Sequence, residues 1–195
     1  WTDKVALQGD FRVRYENIDQ ENKDDRNRDR IRARAAIIAK PQDGLELGFG
    51  LGTRQDADPV SGNQTLGGGG SGKNIYLDLA YFNWTALDGL NIAGGKIRNN
   101  QYRPGRNGLI WDPDLNPEGA SVTYTNGPFF ANLLGTWVES DSDNTEAVGA
   151  GGQLGVAWPV TSDVKLTLGA GYFDLNTAGK GAFYVVSGKP AKFYG

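Results

Sequence analysis

The sequence is dominated by segments in which apolar and polar residues alternate with a period of two. Residues 5–15 place Val, Leu, Phe and Tyr at odd positions and Gln, Asp and Arg at even positions. Residues 30–40 repeat the pattern, with Arg30, Arg32 and Arg34 on one side and Ile or Ala on the other. A strand alternates its side chains between two faces, whereas a helix would scatter these arginines around its circumference. Each run reaches the roughly 9–11 residues of a membrane-spanning strand and exceeds the ~5–6 residues of an ordinary soluble strand.

Seven further segments show the same alternation and predict strands. They cover residues 45–52, 75–84, 90–98, 120–125, 129–137, 148–158 and 164–172, while residues 182–186 form either a short strand or part of a loop. In residues 75–84, the alternation predicts one apolar face made of Ile75, Leu77, Leu79 and Tyr81.

The connections between these strands alternate strictly in length. Polar loops are predicted at 16–29, 54–73, 99–118 and 139–146, and tight turns at 41–44, 85–89, 126–128 and 159–163. Outer-membrane barrels have this asymmetry, with short turns at one end and longer loops at the other. Aromatic residues near the strand ends, where a membrane interface would lie, are Tyr15, Tyr81, Trp84, Trp137, Trp158 and Tyr172. The alternative is a large water-soluble antiparallel sheet with one buried face and one solvated, arginine-rich face.

The expected fold is therefore all-β, a transmembrane antiparallel up-and-down β-barrel in which residues 1–195 belong to a single domain. With nine clear strands, the last strand would end on the side opposite to where the first began. A single-chain bacterial barrel has an even number of strands, and its edge cannot stay open in lipid. We therefore expect an incomplete N-terminal portion, of about nine to ten strands, of a larger barrel truncated at its C-terminal end.

The composition excludes several classes of function. The chain has no Cys and no His, so it offers no thiolate nucleophile, no zinc cluster and no imidazole base. We expect no enzyme activity, no cofactor and no metal site. The formal net charge of −3 gives no reason to expect nucleic acid as a partner. A membrane-embedded hydrolase, one of the alternatives, would need a histidine from outside this sequence.

Two motifs approach known ligand sites without meeting their requirements. The run GGGGSGK at 67–73 is followed by Asn74 and a predicted strand, where a phosphate-binding loop needs Ser or Thr and a helix. Calcium-loop spacing occurs at Asp112, Asp114, Asn116 and Glu118. Pro117, however, stands where a calcium loop needs Gly. We interpret the first motif as a flexible external loop, the second as a charged loop, and the acidic residues within 139–146 as a solvated loop.

Several segments are distinctive in combination: RNRDRIRAR at 26–34, DPVSGNQTL at 58–66, IYLDLAYF at 75–82, YRPG at 102–105 and LIWDPDLNPEG at 109–119. Together they resemble the putative porin family of Gram-negative outer membranes, over essentially the whole chain. The resemblance implies a bacterial outer-membrane barrel with more strands than this chain contains, surrounded by lipid and lipopolysaccharide and assembled as a homotrimer. It does not imply a particular solute.

The expected function is a water-filled channel for passive diffusion of small hydrophilic solutes or ions. The alternative is a non-conducting barrel that acts as a receptor, adhesin or structural anchor. The predicted pore-lining residues are Arg12, Arg14, Arg30, Arg32, Arg34, Glu46 and Asp78. Like charges in one wall are costly unless they face water or carboxylates, so we expect a basic wall facing a wet lumen.

The third long connection is expected to fold inward opposite this wall and to narrow the pore with Asp112, Asp114 and Glu118. The alternative is that the arginines only pair across strands with Asp10, Glu46 and Asp78.

Overall fold

The computed structural model describes residues 4–56, 58–140 and 146–175 of the chain. In this part the protein is one antiparallel sheet of ten strands. The strands are β1 (Val5–Ile18), β2 (Arg26–Gln42), β3 (Leu45–Thr53), β4 (Gln64–Thr65), β5 (Ile75–Leu87), β6 (Leu90–Lys96), β7 (Glu118–Asn126), β8 (Phe129–Glu139), β9 (Ala147–Pro159) and β10 (Lys165–Leu175). The sheet runs β1-β2-β3-β5-β6-β7-β8-β9-β10, with β4 attached to β2. The predicted all-β, up-and-down topology is confirmed, and the sheet is not closed within the described residues.

Short turns lie at one end of the sheet and long connections at the other, as predicted. Asp43-Gly44 and Asp88-Gly89 form two-residue turns in which Gly44 and Gly89 have φ of 74° and 75°. Asp-Gly suits such hairpins because a non-glycine residue rarely adopts positive φ. The long connections include residues 19–25, 54–74 and 97–117. Residues 141–145 of the acidic loop and the possible strand at 182–186 lie outside the described residues.

The first hairpin continues beyond the end that the alternation predicted. β1 and β2 stay in register up to the pair Ile18 and Arg26, and the side-chain amide of Asn17 donates to Asn27 at 2.7 Å. The apolar alternation stops at Tyr15, but backbone ladder hydrogen bonds need no apolar side chain. The strands therefore extend into the segment predicted as a loop.

Two other differences lie at β2. The strand passes through Pro41, which the prediction assigned to a turn, because a bulge between Ala39 and Gln42 relieves the need for an N–H group there. β4 was not predicted, because two residues are too few to show a period. It pairs with Arg30 and Ile31, beyond the part of β2 that β3 covers. No helix in the described part of the chain is long and apolar enough to cross a membrane.

The two faces of the sheet are inverted relative to those of a water-soluble protein. We call the face that carries Arg32 the polar face and the face that carries Phe49 the apolar face. Leu7 and Phe11 on the apolar face are 80% and 70% exposed, whereas Arg30 on the polar face is 9% exposed. Large side chains of the apolar face are also exposed on β2, β3, β5, β8, β9 and β10, at Ile37, Leu47, Leu77, Trp84, Leu133, Trp137, Leu154, Trp158, Leu168 and Tyr172.

A bulge in β5 corrects the predicted faces of that strand. Gly50 lies opposite Leu79 and Leu51 opposite Leu77, so Asp78 is an extra residue in β5. The alternation changes phase at this point, and Leu79 and Tyr81 turn to the polar face. The prediction that they share a face with Ile75 and Leu77 was wrong, because nothing in the period marks a bulge. Phe82 and Trp84 take their place on the apolar face.

The 97–117 connection folds across the polar face and packs there. Trp111, in its middle, is 6% exposed and forms a cluster with the buried side chains of Ala93, Ile97 and Leu134. Its ring meets that of Phe173 edge-on, with centroids 5.3 Å apart. The connection is therefore anchored to β6, β8 and β10 by apolar packing.

We predict that Trp111→Ala releases this connection, because truncating a buried aromatic side chain removes about 3–5 kcal/mol of packing. The expected result is at least a tenfold faster tryptic cleavage after Arg106, which lies in the same connection. Leu109→Ala is the matched control, since Leu109 is 88% exposed. Equal cleavage rates in the two variants would contradict the anchoring role of Trp111.

Candidate functional site

The period of two brings five arginines together on the polar face of the first hairpin. Arg12 lies directly opposite Arg32, and Arg14 directly opposite Arg30, across the β1–β2 ladder. Like charges in such cross-strand pairs repel each other. The arrangement is stable only where other groups compensate the charge.

Two carboxylates of β1 supply part of this compensation. Asp10 binds the guanidinium groups of Arg32 and Arg34, at 2.9 and 2.6 Å. Three arginines surround the second carboxylate, Glu16: Arg14, Arg28 at 2.5 Å and Arg30 at 3.5 Å. Both carboxylates share the even-numbered phase of the arginines, which is why they lie on the same face.

Asp114 of the 97–117 connection supplies a third carboxylate. Its side chain is 8% exposed and accepts hydrogen bonds from Arg32 at 2.6 Å and Arg34 at 3.3 Å. The second carboxylate oxygen accepts the backbone N–H of Gly62 at 3.1 Å, and the Asp114 carbonyl accepts from Arg54 at 3.0 Å. One residue thus joins the arginines of β2 to both long connections.

The 54–74 connection binds the same face through polar contacts. Arg12 donates to the side-chain oxygen of Asn63 at 2.7 Å, and Arg30 donates to the Asn63 carbonyl at 3.2 Å. Gly62 has no room for a side chain, since an added Cβ would lie 2.9 Å from Cδ of Arg32. These contacts hold the connection flat against the arginines.

The other predicted site residues are divided between several places. Asp78 pairs with Arg54 at 2.5 Å, and both side chains are buried. Glu46 accepts a hydrogen bond from the Tyr81 hydroxyl at 2.8 Å and lies 3.9 Å from Lys40. Of the cross-strand partners considered for the five arginines, the structure brings only Asp10 to them within the described residues.

The structure does not bring Asp112 and Glu118 to the arginine cluster. Asp112 caps a local turn by accepting the Asp114 N–H at 2.7 Å, and burial raises the pKa of its carboxyl group. Glu118 pairs with Lys96 at 2.6 Å. Lys96 lies opposite Ala80 of β5 on one side and opposite Glu118 of β7 on the other. Residues directly opposite each other share a face, so Glu118 lies with Ala80 on the apolar face. In the described residues no group of three or more His, Cys, Asp or Glu side chains is placed to hold a metal ion.

Glu16, Arg54 and Asn63 were missed by the sequence reasoning. Glu16 continues the even-numbered polar phase of β1 by one step beyond Arg14, and Arg54 continues that of β3 by one step beyond Gly52. Extending each polar phase past the last apolar residue would have found both. Asn63 lies in a loop that has no period, so no comparable signal exists for it.

A crevice of about 380 Å³ remains between the polar face and the 97–117 connection. Asp10, Arg34 and Asp78 line it from the strands, and Arg98 and Arg103 line it from the connection. Arg98 reaches across to β1, where it donates to the Gln8 side-chain oxygen at 2.9 Å. The polar face therefore keeps one open, charged space beside the buried ion pairs.

We predict that Asp114→Asn loosens both connections, because removing one partner of a buried ion pair costs about 3–5 kcal/mol. The substitution lies in residues 97–117, but hydrogen–deuterium exchange should become faster in residues 54–74 as well. Protection unchanged in residues 54–74 would contradict the linking role of Asp114.

Asp112→Asn is the matched control for that experiment, and we predict no loosening. An asparagine side chain still accepts the Asp114 N–H. Burial favours the neutral form of Asp112, so its ionised form destabilises the folded state at neutral pH. Asp112→Asn should therefore raise the free energy of unfolding at pH values above the pKa of the folded protein. This gain should vanish at pH values below the ordinary aspartate pKa, where the wild-type carboxyl is protonated in both states.

Comparison with known proteins connects this arrangement to one family. A search of curated proteins found no match. The family model described as putative porin matches residues 18–183. The match covers β2 to β10, both connections that cover the polar face, and every residue of the Asp114 contacts. On this evidence the chain belongs to the putative porin family.

Proposed function

We propose that the chain forms part of the wall of an outer-membrane channel through which small hydrophilic solutes or ions diffuse passively. The observation that carries this proposal is the inverted sheet, with bulky apolar side chains exposed on one face and buried arginines on the other. Water-soluble monomers rarely expose apolar patches larger than a few hundred Å². Lipid contact on the apolar face accounts for the inversion.

The energies favour a membrane location. Removing a Leu or Phe side chain from water contributes about 1.5–3 kcal/mol, and the apolar face offers such side chains on nearly every strand. In lipid, an open sheet edge would leave backbone N–H and C=O groups unpaired at several kcal/mol each. β1 and β10 do not pair with each other in the described residues. The proposal therefore includes closure of the sheet into a barrel by strands beyond those described here.

The polar face suits the lumen of such a barrel. The five predicted arginines each have a polar partner: a carboxylate of Asp10, Glu16 or Asp114 for four of them, and the Asn63 side-chain oxygen for Arg12. The wall therefore carries charge that is compensated at least locally. The 97–117 connection lies over this face and would narrow the pore there. Solutes would be sorted by size and charge, with no bond chemistry required of the wall. The homotrimer and the contacts with lipopolysaccharide stay predictions.

One observation favours the alternative of a non-conducting receptor, adhesin or anchor. Residues 54–74 and 97–117 are both bound to the polar face, through Asn63 and Asp114. Two connections fixed there could plug the lumen. The crevice beside Arg98 favours an open path.

Conductance separates the two functions. We predict that the full-length protein, inserted into planar lipid bilayers, gives stepwise ohmic conductance. A wall that conducts should also gain conductance when Trp111→Ala releases the 97–117 connection. Absence of conductance steps in both the wild type and this variant would favour the non-conducting barrel.

A second prediction tests the lipid contact itself. Leu133→Arg, in the middle of β8 on the apolar face, should cost about 2–4 kcal/mol in folding into lipid vesicles, because arginine is unfavourable near the bilayer centre. Leu109→Arg is the matched control. Leu109 is also an exposed leucine, but it lies in the 97–117 connection and not on the apolar face. In a water-soluble sheet both substitutions would be neutral. Equal folding yields would therefore contradict the membrane location.

A further inference from the structure

The crevice on the polar face contains two arginines that the ion-pair network does not use. Arg98 and Arg103 form no ion pair with a carboxylate in the described part of the chain. Their hydrogen bonds go to neutral oxygens. Arg98 donates to the Gln8 side chain at 2.9 Å and to the Tyr81 hydroxyl, and Arg103 donates to the Trp111 carbonyl at 3.3 Å. A guanidinium group has five N–H donors, so most of the donors of each arginine remain available.

The carboxylates that line the crevice are already committed to other arginines. Asp10 is shared by Arg32 and Arg34, and Asp78 is held by Arg54. Asp112 interacts with Arg103 over a longer distance without forming an ion pair. The crevice therefore carries a local excess of positive charge, although the whole chain has a net charge of −3.

A third side chain in the crevice has a donor without a partner. The side-chain nitrogen Nδ2 of Asn99 is buried without a hydrogen-bond acceptor among the described residues. Its side-chain oxygen is occupied by the N–H of Gln101 at 3.0 Å. A buried donor without an acceptor costs free energy, and an incoming oxygen would recover it.

We propose that this crevice is a binding subsite for small oxyanions, carboxylates or phosphate, which Arg98, Arg103 and Asn99 hold by charge-assisted hydrogen bonds. The inference rests on the proposed channel and deepens it by naming the class of solute that the channel prefers. It moves the selective charge away from the five predicted arginines of β1 and β2, four of which pair with carboxylates while Arg12 binds Asn63. In its place stand two arginines of the 97–117 connection. A subsite that holds anions briefly would raise their concentration along the path.

The test is calorimetric titration of the full-length protein, folded in detergent micelles at low salt, with succinate and separately with inorganic phosphate. We expect saturable binding of at least one anion, weakened at least tenfold in the double variant Arg98→Gln/Arg103→Gln. Arg106→Gln is the matched control, because it removes the same charge from the same connection outside the crevice, and it should bind like the wild type. Binding of succinate alone or phosphate alone would identify which oxyanion the subsite takes.

Asn99→Asp provides a second variant that keeps the size of the side chain. Its carboxylate would occupy the two arginines from within, so we expect it to abolish anion binding. Far-UV circular dichroism checks that each variant is folded. No saturable binding by the wild type, or equal affinity in the wild type and both crevice variants, would overturn the subsite.

Ion selectivity distinguishes failure of the subsite from failure of the channel. The reversal potential in a potassium chloride gradient should shift toward cation selectivity in the Arg98→Gln/Arg103→Gln variant and not in Arg106→Gln. Conductance with identical selectivity in the two would overturn the subsite and leave the channel standing. Anion binding without conductance would leave the subsite standing and overturn the channel.

Discussion

The compensation of arginine charge on the polar face is the interaction on which the rest of the structure depends. Arginines that lie directly opposite each other on β1 and β2 would repel and splay the hairpin if they were left alone. Asp10 and Glu16, on β1 itself, compensate part of this charge. Asp114 adds a third carboxylate from the 97–117 connection, and its backbone and carboxylate also hold the 54–74 connection. Electrostatic contacts thus hold both long connections on the polar face.

The same compensation separates two kinds of arginine. Arg32 and Arg34 are structural, because two carboxylates, Asp10 and Asp114, bind each of them. Arg98 and Arg103 stand at the margin of the crevice and bind only neutral oxygens in the described residues. In the proposed channel, the first kind would fix the shape of the lumen and the second kind would exchange one partner for another. Trp111 also fixes the 97–117 connection, by apolar packing against β6, β8 and β10.

Most of the sheet could be predicted because apolar and polar residues alternate in the sequence of every strand that has one apolar and one polar face. The errors fall where that signal is absent or interrupted. The bulge at Asp78 moved Leu79 and Tyr81 to the polar face, and a bulge leaves no mark in the period until the strand is paired. β4 is too short to show a period, and Pro41 resembles a turn until its partner strand is known. Glu118 was grouped with Asp114 by closeness in sequence, yet the register of β6 and β7 puts it on the other face.

Outside the β5 bulge, the sequence by itself determined which residues share a face, because side-chain direction in a regular strand depends only on local geometry. It therefore contained the arginine row, the apolar face and the alternation of short and long connections. The tertiary structure alone decided which charges meet. Arg32 and Asp114 are 82 residues apart, and their contact depends on how an irregular connection folds back over the sheet. No local period encodes such a contact, so the carboxylate partners, and with them the arginines left free to bind a solute, emerge only once the chain has folded.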